Sequence, residues 1–279
     1  MQAFVGWDTH LHVFDQRVPV LPGHYQPAHR PLEVIEREAE SRLGIQHLVL
    51  VQPSVYGQDH SVLLSALRQT RGRHRGVVVP GDWFERQSEI ELDELHDLGI
   101  RGVRLNCVSP RGEGADPVAI AGRVHALMPV LKARDWHLQW YITPNLLPWV
   151  AQWHEGSGVV AVLDHLGGMT AALTSDACSV PQARSAWQAL VNLAAQKAWI
   201  KLSGWYRLQS SAPYRDLHPL IVDLDTLFQD RLLWGSDWPH TFFKPESQPD
   251  LLDLWSPVVA ALGEGRAAEI LGGAGRLYR

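Results

Sequence analysis

Short apolar, β-branched segments alternate with longer amphipathic ones from end to end of this 279-residue chain, and no other feature narrows the possible folds as much. The strand-like segments are 5–14, 47–52, 76–80, 99–106, 136–142, 159–165, 199–203 and 232–237. Between and after them, 31–43, 61–70, 88–98, 116–133, 146–153, 181–196, 217–228 and 249–262 read as helices. Pro31 suits a first-turn position and Gly44 a left-handed stop. His47-Leu48-Val49-Leu50-Val51 and Val159-Val160-Ala161-Val162-Leu163 are apolar on both faces, as strands of a parallel sheet buried under helices must be. Eight such units predict a (β/α)₈ TIM barrel, with residues 1–279 forming a single domain. A doubly wound dinucleotide fold loses its main support because no G-x-G-x-x-G follows the first strand.

Charge and composition exclude several functions. Lys and Arg number 25 against 30 Asp and Glu, a net −5, which gives no basic surface for nucleic acid or an anionic membrane. Hydrophobic residues at 46% and charged residues at 20% fit a folded globular chain rather than a disordered one. The first twelve residues lack a basic leader and an apolar core, so the sequence predicts no secretory leader. Cys107 and Cys178 are too few for a disulfide framework, and the expected location is the reducing cytoplasm. The partner implied is a small molecule, and nothing in the pattern specifies a number of subunits. The 12 Trp are expected mainly in the core.

In a barrel of this kind the chemistry lies where strands end at their carboxyl side, so polar residues closing apolar strands are the candidates. Strand one closes with His10 and His12, which project to the same side because alternate strand residues share a face. Strand six closes with Asp164 and His165, and strand eight with Asp237 ahead of Trp238-Pro239-His240. Strand four offers Arg104 and Asn106, strand five Gln139 and Tyr141, and the loop after strand seven Tyr206 and Arg207. His10, His12, His165 and Asp237 are the expected catalytic set, since ionisable groups gathered at strand ends have little structural reason to be there.

These residues sit in motifs that resemble the amidohydrolase superfamily, and most of all its branch of 2-pyrone-4,6-dicarboxylate lactonases and related lactone hydrolases. The resemblance runs through Thr9-His10-Leu11-His12-Val13-Phe14-Asp15, Leu50-Val51-Gln52-Pro53-Ser54-Val55-Tyr56-Gly57, Arg101-Gly102-Val103-Arg104-Leu105-Asn106, Asp164-His165-Leu166-Gly167, Lys201-Leu202-Ser203-Gly204-Trp205-Tyr206-Arg207 and Trp234-Gly235-Ser236-Asp237-Trp238-Pro239-His240. It implies a hydrolase that opens a lactone ring of a sugar acid or of an aromatic-catabolism intermediate. Two arginines that the pyrone hydrolases use on a dicarboxylate are replaced here by Pro110, with Arg111 beside it, and by Gly168. A lactone with one carboxylate or none is therefore expected, because a carboxylate clamp wants the bidentate guanidinium.

Lactone hydrolysis needs a base for water, donors for the oxyanion and a proton for the leaving oxygen. Asp237 is assigned as the base, with His10, His12 and His165, at least one of them protonated, polarising the carbonyl. Arg104, Tyr141, Arg207, Ser54 and Tyr25 are assigned to substrate binding. The binuclear centres of the wider superfamily use a bridging Lys or Glu after strand four and a His after strand five, where this chain has Arg104, Asn106 and Tyr141. The resemblance to the pyrone lactonases thus implies metal-free chemistry. The alternative is one zinc at His10, His12 and Asp237. A metal-dependent decarboxylase or hydratase of an aromatic or dienoic acid on the same barrel is the rival activity, and a barrel that only binds its ligand is a further one.

Overall fold

The computed structural model describes residues 5–109, 112, 114–173, 181–241, 243–244 and 247–279. Pro110, Arg111 and Cys178, which figure in the sequence reading, lie outside the described residues. Eight strands, β1 (Gly6–Leu11), β2 (Ile45–Val51), β3 (Arg75–Val78), β4 (Ile100–Asn106), β5 (His137–Tyr141), β6 (Ala161–Leu163), β7 (Trp199–Leu202) and β8 (Leu232–Trp234), follow one another around a single sheet in chain order. Every neighbouring pair is parallel. The ring closes just beyond β8, where Asp237 N donates to His10 O and His12 N to Trp238 O, both at 2.8 Å. This is the expected TIM barrel.

The helices are α1 (Leu32–Leu43), α2 (Ser61–Thr70), α3 (Asp82–Glu85), α4 (Glu89–Leu98), α5 (Pro117–Ala133), α6 (Leu147–His154), α7 (Pro181–Ala195), α8 (His218–Phe228), α9 (Leu251–Gly273) and α10 (Gly275–Tyr278). Local chemistry sets their ends. Gly44 stops α1 at φ 64°, Ser88 and Glu91 form a reciprocal capping box on α4, and Asp116 caps α5 ahead of Pro117. Helix α9 outruns the expected 249–262: it breaks at Gly263, φ 80°, and resumes to Gly273. Among the described residues no helix is long and apolar enough to cross a membrane.

The doubly apolar strands are explained by two separate cores. Leu48 and Leu50 of β2 pack outward among the helices, whereas Val49 and Val51 face the barrel interior with Val77, Val162 and Leu233. Tyr278 of α10, fully buried, closes the amino-terminal end of the barrel by stacking on Trp7 at 5.9 Å. Barrel interiors are ordinarily filled by branched apolar layers. Here Asp8, His10, Arg104, His137, Gln139, Asp164 and Lys201 are all buried within it instead.

The strands are shorter than the sequence suggested at their carboxyl ends. His165 and Asp237 lie beyond β6 and β8 on left-handed backbone, φ 48° and 58°, a conformation that ends strand pairing and costs non-glycine residues energy. Close packing holds these turns. A Cβ on Gly235 would fall 2.5 Å from His10 Cβ and 2.9 Å from its backbone N. Gly235→Ala is therefore expected to destabilise the fold by about 1–3 kcal/mol through overpacking. Thermal unfolding followed by circular dichroism measures this, and a wild-type midpoint would contradict it.

Candidate active site

At the carboxyl-terminal mouth of the barrel lies a cavity of about 310 Å³, lined by residues from many of the strand-end loops. His12, His165 and Asp237 line it, and so do all five expected binding residues, Arg104, Tyr141, Arg207, Ser54 and Tyr25. His10 sits just beneath, its ring 5.2 Å from that of His12 and 4.8 Å from that of His165. The four residues expected to be catalytic, drawn from three distant stretches of sequence, are thus gathered in one place. Asn106 and Ser109 complete one wall, where Asn106 Nδ2 donates to Ser109 Oγ at 2.8 Å. No Trp is among the lining residues, and Trp136, Trp140, Trp205 and Trp234 are fully buried core residues.

Asp237 is held from one side. Its Oδ2 accepts from Tyr206 Oη and from Arg207 Nε, both at 2.6 Å. Burial alone would raise its pKa, but the Arg207 guanidinium beside it outweighs burial and keeps the carboxylate well below its ordinary range. The sequence reading credited the imidazoles alone with this role; Arg207 is the stronger influence. Tyr206 is pushed well above its usual value by burial and by the Asp237 charge, so its hydroxyl keeps the proton it donates. The other oxygen, Oδ1, is buried and accepts no hydrogen bond of normal geometry.

Facing that oxygen are two ring nitrogens. His12 Nε2 is 3.5 Å from it and His10 Nε2 3.7 Å. The remaining nitrogens fix the tautomers. His12 Nδ1 lies 2.8 Å from the carbonyl oxygen of Val51, which can only accept, so Nδ1 carries a proton. His10 Nδ1 lies 3.1 Å from Asp164 Oδ1. His165 Nδ1 pairs with Ser203 Oγ at 2.9 Å. Burial lowers His165 to about 4 and His10 well below its ordinary value, so both rings are neutral at neutral pH. Desolvation inside the barrel outweighs the nearby carboxylates for these two rings, so neither is the protonated imidazole that the sequence analysis expects among His10, His12 and His165.

Beneath His10 lies a second carboxylate, Asp164, which the sequence analysis places at the end of strand six without a role and without its partner Lys201. Asp164 Oδ2 accepts from Arg104 Nε at 2.8 Å and from Gln139 Nε2 at 3.1 Å, while Lys201 Nζ lies 3.3 Å from Oδ1. Burial opposes the charge on Asp164, but Lys201, His10 and Arg104 together hold it well below its usual range. Burial brings Lys201 down to about 8, with Asp164 limiting the fall. A lysine in the middle of the apolar run Trp199-Ile200-Lys201-Leu202 was the available signal. Asp8, the third buried acid, accepts from the backbone N of His10 and Ser236.

The donor set fits a divalent cation. His10, His165 and Asp237 each offer a ligand atom within 4.8 Å of the others. His10 Nε2 and Asp237 Oδ1 are buried without a hydrogen-bond partner and turn lone pairs toward each other, which is unfavourable unless positive charge lies between them. A carboxylate or backbone carbonyl accepting from the far nitrogen of the ring, as on His10 and His12, is the usual support of a metal-bound imidazole.

The amidohydrolase family pattern matches residues 7–279. The chain is 35% identical over 255 residues to the 4-sulfomuconolactone hydrolase of Rhizobium radiobacter, covering 89% of this chain and 80% of that protein. It is 29% identical to the 2-pyrone-4,6-dicarboxylate hydrolase of Comamonas testosteroni, over 97% of this chain and 89% of that one. A solved structure of a putative 2-pyrone-4,6-dicarboxylic acid hydrolase from Pseudomonas putida superposes with a TM-score of 0.80 at 28% identity, covering 99% and 97% of the two chains.

The pH dependence of stability follows from the buried rings. His60, His154, His165 and His240 are each lowered to about 4 by burial, whereas in the unfolded chain they titrate near 6.5. Between those values the unfolded state binds more protons, so stability falls as pH drops from about 6.5 to about 4. Asp8, raised to about 6, and Glu38, also raised, both by burial, run the other way, but they are outnumbered by these rings together with His137, which burial lowers to about 3. The urea midpoint is expected to fall steadily as the pH drops from 6.5 to 4. A midpoint that rises on acidification to pH 5 would contradict this account.

Proposed function

The chain belongs to the amidohydrolase family, and on that premise we propose that it hydrolyses the ester bond of a lactone, a small ring of the kind met in aromatic catabolism. The observation that carries this reading is Asp237 Oδ1: a buried carboxylate oxygen without a hydrogen-bond donor, on a residue that lines a cavity whose walls hold hydrogen-bonding and cationic groups. Arg207 and Tyr206 take Oδ2 and fix the carboxylate plane, leaving Oδ1 to receive a proton from an attacking water. The same oxygen returns the proton to the leaving alkoxide or enolate. Because His10 and His165 are neutral, charge for the developing oxyanion is assigned to groups that remain cationic, Arg104 and Arg207.

Arg104 and Arg207 each commit Nε to a buried carboxylate, which orients the guanidinium rather than consuming it. Arg104 also lies over the Tyr141 ring at 5.0 Å. With two guanidinium groups among the described lining residues, the site suits a ring bearing one acidic group. Gly168, at φ 75°, supports that limit: even a Cβ there would stand 2.5 Å from the Ile142 carbonyl oxygen, so a long cationic side chain has no room on this backbone. Ser54, Tyr25 and Tyr141 line the cavity as neutral hydrogen-bonding partners for the ring substituents.

The opposed lone pairs favour the one-ion alternative over metal-free chemistry. His10, His165 and Asp237, with His12 beside them, would hold the cation, which when bound supplies Lewis-acid charge against the oxyanion. The cytoplasm is the compartment we assign to the enzyme.

Two measurements test this reading. Assayed with a pH indicator against aldonolactones, muconolactones and pyrone carboxylates, the protein should consume base with a monoanionic muconolactone, and Asp237→Asn should lower kcat by about 10²–10⁴-fold. Near-normal turnover in that variant would remove Asp237 from its role. Elemental analysis of protein grown with zinc should give about one equivalent, lost together with activity on exhaustive chelation. Turnover that survives chelation would restore the metal-free reading.

A further inference from the structure

We infer that Lys201 is a positioning residue for this reaction: from beneath the site it holds Asp164 in the orientation that keeps the proton of His10 on Nδ1 and its Nε2 lone pair aimed at Asp237. Lys201 is fully buried in the middle of β7 and is not among the residues lining the cavity, so it does not touch a substrate. Burying an ammonium ion is expensive, and an aliphatic residue would fill an ordinary barrel layer at lower cost. Its nearest charged partner explains its presence. Nζ lies 3.3 Å from Asp164 Oδ1 and 3.4 Å from His10 Nδ1.

The two neighbours compete in an instructive way. An ammonium only donates, so a hydrogen bond from Lys201 to His10 Nδ1 would require the lone pair there and force the proton onto Nε2. Asp164 Oδ1 is nearer to both: 3.1 Å from His10 Nδ1 and 3.3 Å from Lys201 Nζ. The carboxylate therefore receives both donors on Oδ1, just as it receives Arg104 and Gln139 on Oδ2. With each oxygen held by two donors, the plane of Asp164 is fixed, and with it the ring of His10. Removing Lys201 leaves Oδ1 with a single donor and allows the carboxylate, and the imidazole that follows it, to turn.

The part of this inference that concerns turnover rests on the lactone reading; the tautomer does not. The deciding experiment is ¹⁵N NMR of histidine-labelled, metal-stripped protein without substrate, comparing wild type with Lys201→Met, which nearly preserves volume and removes the charge. The wild-type His10 signal should report the Nδ1–H tautomer, and the variant a mixture of tautomers. In parallel, kcat of Lys201→Met should fall about 10–100-fold, the usual effect of losing a group that supports a functional imidazole, with KM within about threefold. A wild-type ring protonated on Nε2 overturns the inference, as does a Lys201→Met protein with wild-type tautomer and kcat, or one whose KM alone changes. Should Lys201→Met fail to fold, the wild-type spectrum decides by itself. A preparation with the expected tautomer that opens no lactone refutes the lactone reading and leaves the positioning role standing.

Discussion

The carboxylate of Asp164 is reached from four other strands of the barrel at once. His10 from β1, Arg104 from β4, Gln139 from β5 and Lys201 from β7 converge on it just beyond β6. A buried carboxylate is tolerable only when its lone pairs are met and its charge is balanced. Meeting that condition draws side chains across the barrel axis and ties distant strands to one another. The interior of the barrel is consequently specified by donor and acceptor geometry, where most barrels rely on the volume of apolar layers. The site above inherits its rigidity from this hub.

Asp237 repeats the scheme one layer higher, with a difference that turns structure into chemistry. Arg207 and Tyr206 satisfy one oxygen and leave the other bare, so the carboxylate is fixed in place yet retains an unused lone pair. Two carboxylates within the same barrel mouth thus stand in different surroundings: the lower one has donors on both oxygens, the upper one on a single oxygen. Left-handed backbone at His165 and Asp237 brings both side chains back over the barrel mouth from loops that have already left the sheet. Strain of that kind persists where the surroundings over-determine it. Gly204, which at φ 61° lies against the His165 ring so closely that a Cβ would fall 2.4 Å from Nδ1, is part of that enclosure.

Burial decides the protonation states here more than pairing does. His10 has a carboxylate at 3.1 Å and is nonetheless held neutral, because desolvation in the barrel exceeds the attraction. Lone pairs on the imidazoles and a lone pair on Asp237 then meet across a few ångströms. A donor cluster of neutral imidazoles and one carboxylate, flanked by two guanidinium groups, is suited to positive charge at its centre and to an anionic ring at its mouth.

By itself the amino-acid sequence determined the architecture and picked out residues that the fold brings together at one barrel mouth. Periodicity is a local property, so the eight βα units and most helix ends were legible, and His10, His12, His165 and Asp237 were legible because ionisable residues stand out at the ends of apolar runs. Lys201 and Asp164 carried the same local signal but gave no hint of their partners, since the chain separates Arg104 from Asp164 by 60 residues and His10 from Lys201 by 191. Tertiary structure alone decided which oxygen of Asp237 is bare, which ring nitrogens carry protons and which groups stay charged. Those properties depend on distances between strands and on exclusion of water, neither of which is encoded in any one segment.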